Sequence, residues 1–149
     1  MKRKIQKSFV DTGLGFPVTL MNVPMAKVRG QWTPEINYNA LTQAVLLALS
    51  EKPVRLTGDE VRFIRLHFEM TLEQFAKRFG VSHAAVIKWE KAKDEPTKMS
   101  WALEKDLRLF VIFNLLAKPQ KLAELYSELE KEKSSQKRKI KLDANELAA

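Results

Sequence analysis

Two helix starts and one enforced helix stop fall within residues 71–90, and they leave this stretch few conformations. Thr71-Leu72-Glu73-Gln74 places a hydroxyl residue three positions ahead of a glutamine, so each side chain can satisfy the other's backbone amide at a helix N-terminus. Phe75, Ala76 and Phe79 then recur at helical spacing and give that helix one apolar stripe. Gly80 stands where a helix commonly ends in a left-handed residue. Ser82 can cap a second helix, with Val81 before it and Val86 and Trp89 within it turned inward. The joint Gly80-Val81-Ser82 is so tight that the two helices must pack across one another, through Ala76, Phe79, Val86 and Trp89.

The flanking sequence supplies the remaining elements. In Leu56-Thr57-Gly58-Asp59-Glu60, Thr57 caps a helix and Glu60 closes a further capping box, with Val61, Ile64 and Phe68 as its apolar face. Upstream, Thr33-Pro34-Glu35 opens a helix that carries Leu41, Val45, Ala48 and Leu49 and ends near 50–53. Phe9 to Gly30 reads as strand and turn. Thr12-Gly13-Leu14-Gly15 turns, Val18, Leu20 and Asn22 alternate, Pro24 makes the end of the run an edge, and Met25–Arg29 returns as a second strand. Downstream, 92–98 is a polar loop, Trp101 to Leu116 a long apolar helix, and Leu122, Leu125, Tyr126 and Leu129 mark a last amphipathic helix. The expected organisation is a basic arm (1–8), a β ribbon plus linker helix (9–54), a helix-turn-helix domain (55–117), a C-terminal helix (118–133) and a basic flexible tail (134–149). The expected fold class is mostly α, a helix-turn-helix bundle with a small N-terminal β ribbon.

Composition narrows the function. Hydrophobic residues make up 45% of the 149, enough for a packed core, and no apolar run is long enough to span a bilayer. Met1-Lys2-Arg3-Lys4 is basic, but no apolar stretch follows, so a signal peptide and membrane attachment are not expected. Cysteine is absent, which excludes disulfides and thiolate zinc sites and suits a reducing cytoplasm. The net charge of +8 sits at the ends: residues 1–31 carry six basic and one acidic side chain, residues 131–141 again six and one, and residues 57–96 seven of each. Basic ends are either plain solvated tails or arms that attract phosphate.

No nucleophile elbow, phosphate loop or paired-carboxylate motif is present, and Gly13-x-Gly15 is too short for one. His67 and His83 lie far apart without a ligand pattern, so neither metal nor cofactor is expected, and the chain is not expected to be an enzyme. The second helix of the pair instead offers His83, Ala84, Ala85, Ile87, Lys88 and Lys91 as candidate contacts to a DNA major groove. Lys88 can donate to guanine or phosphate, His83 can reach a base edge, and Ala84 and Ile87 can touch a thymine methyl. Thr71, Gln74 and Ser82 sit at helix N-termini, whose free amides favour phosphate. Trp101, Leu107, Phe110 and Val111 are either the core of one chain or the seam of a two-fold dimer.

Leu72-Glu73-Gln74-Phe75-Ala76-Lys77-Arg78-Phe79-Gly80-Val81-Ser82, followed by Val86-Ile87-Lys88-Trp89-Glu90, resembles the Cro/lambda-repressor-type (XRE) helix-turn-helix over about residues 56–112. The segments 13–20, 22–24 and 56–65 extend the resemblance to antitoxins of the MqsA (YgiT) type. It implies a double-stranded DNA-binding repressor, homodimeric on a palindromic operator, with residues 9–50 holding a cognate toxin. A stand-alone phage or mobile-element repressor, or an inhibitor with secondary DNA binding, are the alternatives. The resemblance also implies that Arg65 pairs with Glu90, the acidic residue after Trp89, to fix the third helix of the domain. Three departures stand out: the paired zinc-binding cysteines are missing, Ala92 replaces a common glycine, and Leu72 replaces a phosphate-contacting glutamine.

Overall fold

The computed structural model describes residues 1–115 and 119–147. The chain divides into two units, one made of residues 1–45 with the segment from 139 onward, the other of residues 46–138. The expected end of the long helix at Leu116 and the domain boundary at 117/118 lie outside the described residues.

In the first unit, strands β1 (Arg3–Asp11), β2 (Val18–Val28), β3 (Gln31–Pro34) and β4 (Ile140–Asp143) form one sheet. Strand β2 is central. It pairs antiparallel with β1 from Asp11↔Val18 to Arg3↔Ala26. Along its other edge, β4 pairs parallel with residues 18–21 and β3 antiparallel with residues 25–28. Residues 22–24 fall in the gap between those two partners, which is why a central strand tolerates Asn22 at φ 55° and Pro24, which has no N–H to give. Pro24 therefore does not end the strand at an edge, and the ribbon expected from the sequence is a four-stranded sheet. The chain reverses at Arg29-Gly30, both at positive φ, in the two-residue turn whose twist suits a hairpin.

Two expectations fail in this unit. Residues 1–8 are not a free arm, because residues 3–8 belong to β1 and are held by the backbone ladder to β2. Ile5 is 68% and Val10 53% exposed, so β1 buries neither face and shows no alternation to read. Nor are residues 134–147 a flexible tail; the last two residues of the expected tail lie outside the described residues. Ile140, Ala144 and Leu147 are buried, and a short 3-10 helix, Ala144–Leu147, follows β4. Four strand residues between charged neighbours are too few to display a period. Helix α1 (Tyr38–Glu51) begins later than Thr33-Pro34-Glu35 suggested, since 31–34 are taken by β3. Asn37 caps it, accepting from the amides of Asn39 and Ala40 at 3.0 and 3.1 Å.

The second unit holds helices α2 (Gly58–His67), α3 (Leu72–Phe79), α4 (His83–Lys91), α5 (Trp101–Leu115) and α6 (Pro119–Leu129). Val61, Ile64, Phe75, Val86, Leu107 and Val111 are buried at its centre. Phe110 stacks edge-on against Phe68 and Phe79, with centroids 5.0 and 5.6 Å away. Ile112, Leu125 and Leu129 form a smaller cluster with Trp101, whose indole N–H donates to the Leu129 carbonyl at 3.1 Å. Of the four residues read as core or seam, Leu107 and Val111 are buried within the chain, and Trp101 and Phe110 are half-buried against it. Tyr126, read as part of the apolar stripe of α6, is 46% exposed.

Charged groups also lie in this interior. Arg108 is fully buried and donates to Glu104 at 2.7 and 3.1 Å and to the carbonyls of Lys52 and Val54, each at 2.6 Å. Glu104 also accepts from Arg55 Nε and from the Leu56 amide. A second buried pair, Lys52 with Glu60, closes at 2.7 and 2.8 Å. These contacts fasten the chain between α1 and α2 onto α5. Every buried side-chain polar atom among the described residues has a partner, as burial of charge requires.

Candidate nucleic-acid interface

Both capping boxes form. Glu60 N donates to Thr57 Oγ1 at 3.2 Å and Thr57 N to Glu60 Oε1 at 2.9 Å. For α3 the corresponding distances are 3.1 Å (Gln74 N to Thr71 Oγ1) and 2.9 Å (Thr71 N to Gln74 Oε1). Gln74 spends only its oxygen on the cap, so its exposed amide NH2 keeps donors for a ligand. Gly80 ends α3 at φ 68° and ψ 31°, the left-handed conformation expected of it. Ser82 caps α4, its Oγ accepting from Ala85 N at 3.1 Å.

The short joint then sets α4 across α3. Phe75, Ala76 and Phe79 of α3 and Val86 and Trp89 of α4 are all buried. The opposite surface of α4 carries His83, Ala84, Lys88 and Lys91, all exposed, with Ile87 half-buried at its margin. Ala85 is also half-buried and leans toward the packed side. The exposed set lies one helical face away from Val86 and Trp89 and is narrow enough for a major groove roughly 12 Å wide. Ser82 and Thr71 are exposed at the N-termini of their helices, where uncapped amides carry partial positive charge. Each predicted DNA-facing position is therefore exposed except Ala85 and Ile87, which are half-buried.

Arg65 fixes that surface from behind. Its Nε and Nη2 donate to Glu90 at 2.7 and 2.9 Å, and Nη1 donates to the Met70 carbonyl at 3.0 Å. The guanidinium so ties α2 to the last turn of α4 and to the α2–α3 turn. Arg62 stands 3.7 Å from the same carboxylate but is 58% exposed. Trp89 is buried, as its helical spacing predicts.

Gly58 contributes something the sequence reading missed. A Cβ there would stand 2.4 Å from the Trp89 carbonyl oxygen and 2.7 Å from Lys93 N, so only glycine lets the start of α2 meet the end of α4. The loop leaving α4 is pinned to the same place: Asp59 N donates to Lys93 O at 2.9 Å and Gly58 N to Glu95 O at 3.2 Å. Burial, with Asp94 nearby, pushes the Asp59 carboxyl above its ordinary pKa. Helix α4 ends at Lys91, with Ala92 as its right-handed C-cap, and the positive φ falls one residue later, at Lys93. A glycine inside a capping motif is easily read as part of the cap, and its role emerges only from the helix laid against it.

This arrangement is matched by a known family. The Helix-turn-helix family model covers residues 61–100, from within α2 to the start of α5. These residues are an XRE-type helix-turn-helix. The module is one that binds double-stranded DNA in transcription regulators, and α4 is its second helix, the position from which such modules read bases. No curated protein and no solved structure matches the chain. Among the described residues no helix is long and apolar enough to cross a membrane.

Proposed function

We propose that this chain is a non-catalytic, sequence-specific repressor that binds duplex DNA as a homodimer and serves as the antitoxin of a toxin–antitoxin pair, acting in the cytoplasm. The observation that carries the DNA reading is the exposed face His83, Ala84, Lys88 and Lys91 on a helix whose other face is locked by Val86, Trp89 and the Arg65–Glu90 pair. A rigid reading helix with free polar groups can hold base contacts in register. In a lambda-repressor-like bundle, two copies would set their recognition helices roughly 34–36 Å apart, one DNA turn, and so prefer a palindromic operator. Phe113 on α5, 72% exposed, offers an apolar side chain for the dimer seam.

The antitoxin reading rests on the resemblance to MqsA-type chains. It is supported by a first unit that has its own sheet and its own buried side chains, suited to a partner protein. A stand-alone repressor would use the same DNA face without such a partner.

Footprinting on the promoter upstream of the gene tests the reading. A protected palindrome is expected, and His83→Ala with Lys88→Ala should erase the preference for it over unrelated duplex. Unchanged preference in both variants would show that α4 does not read the DNA.

A further inference from the structure

Residues 131–138 form a charged stretch without regular secondary structure, yet they lie fastened to the second unit. Ser134 O accepts from Arg55 N at 2.6 Å, and Ser134 bridges to Val54 in parallel. Glu132 pairs with Arg55 at 3.2 Å, Lys133 Nζ donates to Glu128 O at 3.3 Å, and Lys137 pairs with Glu95 at 2.7 Å. The last contact joins the stretch to the loop that leaves the recognition helix. Between them runs an open groove of about 680 Å³ with Lys88 and Lys91 of α4, Lys98 of the loop and Ser135 along its sides.

The charge balance of this groove is one-sided. Lys88, Lys91 and Lys98 are exposed, and no salt bridge engages them among the described residues. Glu95, the acidic side chain lining the groove, is paired with Lys137, and that pair is 58% and 57% exposed, open to exchange with an incoming anion. When a recognition helix lies in a major groove, the phosphates of the flanking strands run past its ends.

We propose that residues 131–138 are a fixed second contact to the DNA backbone, in which Lys137 leaves Glu95 for a phosphate beside the C-terminal end of α4. This rests on the reading of α4 as the recognition helix. The contact is to a sugar–phosphate strand and carries no sequence information, so it adds affinity equally on every duplex. Glu95 has two effects. It orients Lys137 across the groove, and its own negative charge opposes the phosphate until the ammonium is transferred.

The test is a salt titration of full-length protein on operator and on unrelated duplex, for the wild type, Lys137→Ala and Glu95→Gln. Lys137→Ala should weaken binding to both duplexes alike and lower the salt slope by about 0.9, so that between 50 and 200 mM salt it loses about 3.5-fold less affinity than the wild type. Glu95→Gln should tighten binding to both duplexes by about two- to threefold at low salt, because one negative charge near the phosphate is removed. Both residues are exposed, and unchanged circular dichroism would confirm that the fold is intact. If neither variant moves affinity or slope while His83→Ala and Lys88→Ala still erase operator preference, the segment is a spectator and this inference falls alone. If those two also have no effect, the recognition reading falls with it.

Discussion

Replacing Arg65 by methionine removes three hydrogen bonds at once, two of them to a carboxylate. It leaves Glu90 with its side chain 11% exposed and no direct partner but Arg62, 3.7 Å away at the surface. Breaking a buried ion pair from one side typically destabilises by about 3–5 kcal/mol, because the remaining charge is stranded. Here the residual exposure of Glu90 and the approach of Arg62 reduce this to about 2–3 kcal/mol. The unit of residues 46–138 is in the size range where each kcal/mol moves a melting midpoint by about 4–8 °C, so Arg65→Met should lower the midpoint by roughly 10–20 °C. Differential scanning calorimetry or urea melts followed by tryptophan emission would read it. The sharper comparison is the double variant Arg65→Met with Glu90→Leu, which removes both charges and should recover to within about 1 kcal/mol of wild type. If the single variant loses less than about 0.5 kcal/mol, or the double variant is worse than the single, the pair is not what holds α2 to α4.

Two further outcomes follow from the same packing. Gly58→Ala forces a methyl into the Trp89 carbonyl and the Lys93 amide, both backbone, so the helices must part; a loss of at least about 2 kcal/mol in urea melts is expected, together with weaker operator binding because the end of α4 moves. Arg108→Met takes from the fully buried Glu104 one of its two guanidinium partners, leaving Arg55 and the Leu56 amide, and leaves the carbonyls of Lys52 and Val54 without this donor; it should cost about 2–3 kcal/mol by the same melts, with little change in operator affinity of the protein that remains folded.

The helix-turn-helix was legible because its determinants are local. Thr71, Gln74, Gly80 and Ser82 act on amides and torsions within four residues, and Phe75, Ala76, Val86 and Trp89 declare their faces by period alone. That is why the exposed face of α4 is legible in the chain itself, with Ala85 the exception that a helical wheel places at the margin and that is half-buried.

The termini were misread for the opposite reason. Strand β1 owes its existence to hydrogen bonds with β2, and β4 pairs Ile140 with Val18 across most of the chain length, so neither strand has an apolar pattern of its own to announce it. Arg108 likewise lies within an otherwise apolar stretch, yet two of its partners are carbonyls more than fifty residues away in sequence. Local capping and periodicity thus determined the DNA-binding helices from sequence. Backbone pairing and buried charge, which depend on which distant segment arrives, were decided only in the tertiary structure. So too was the anchoring of residues 131–138 beside the recognition helix, since ion pairs such as Lys137–Glu95 leave no periodic trace in the chain.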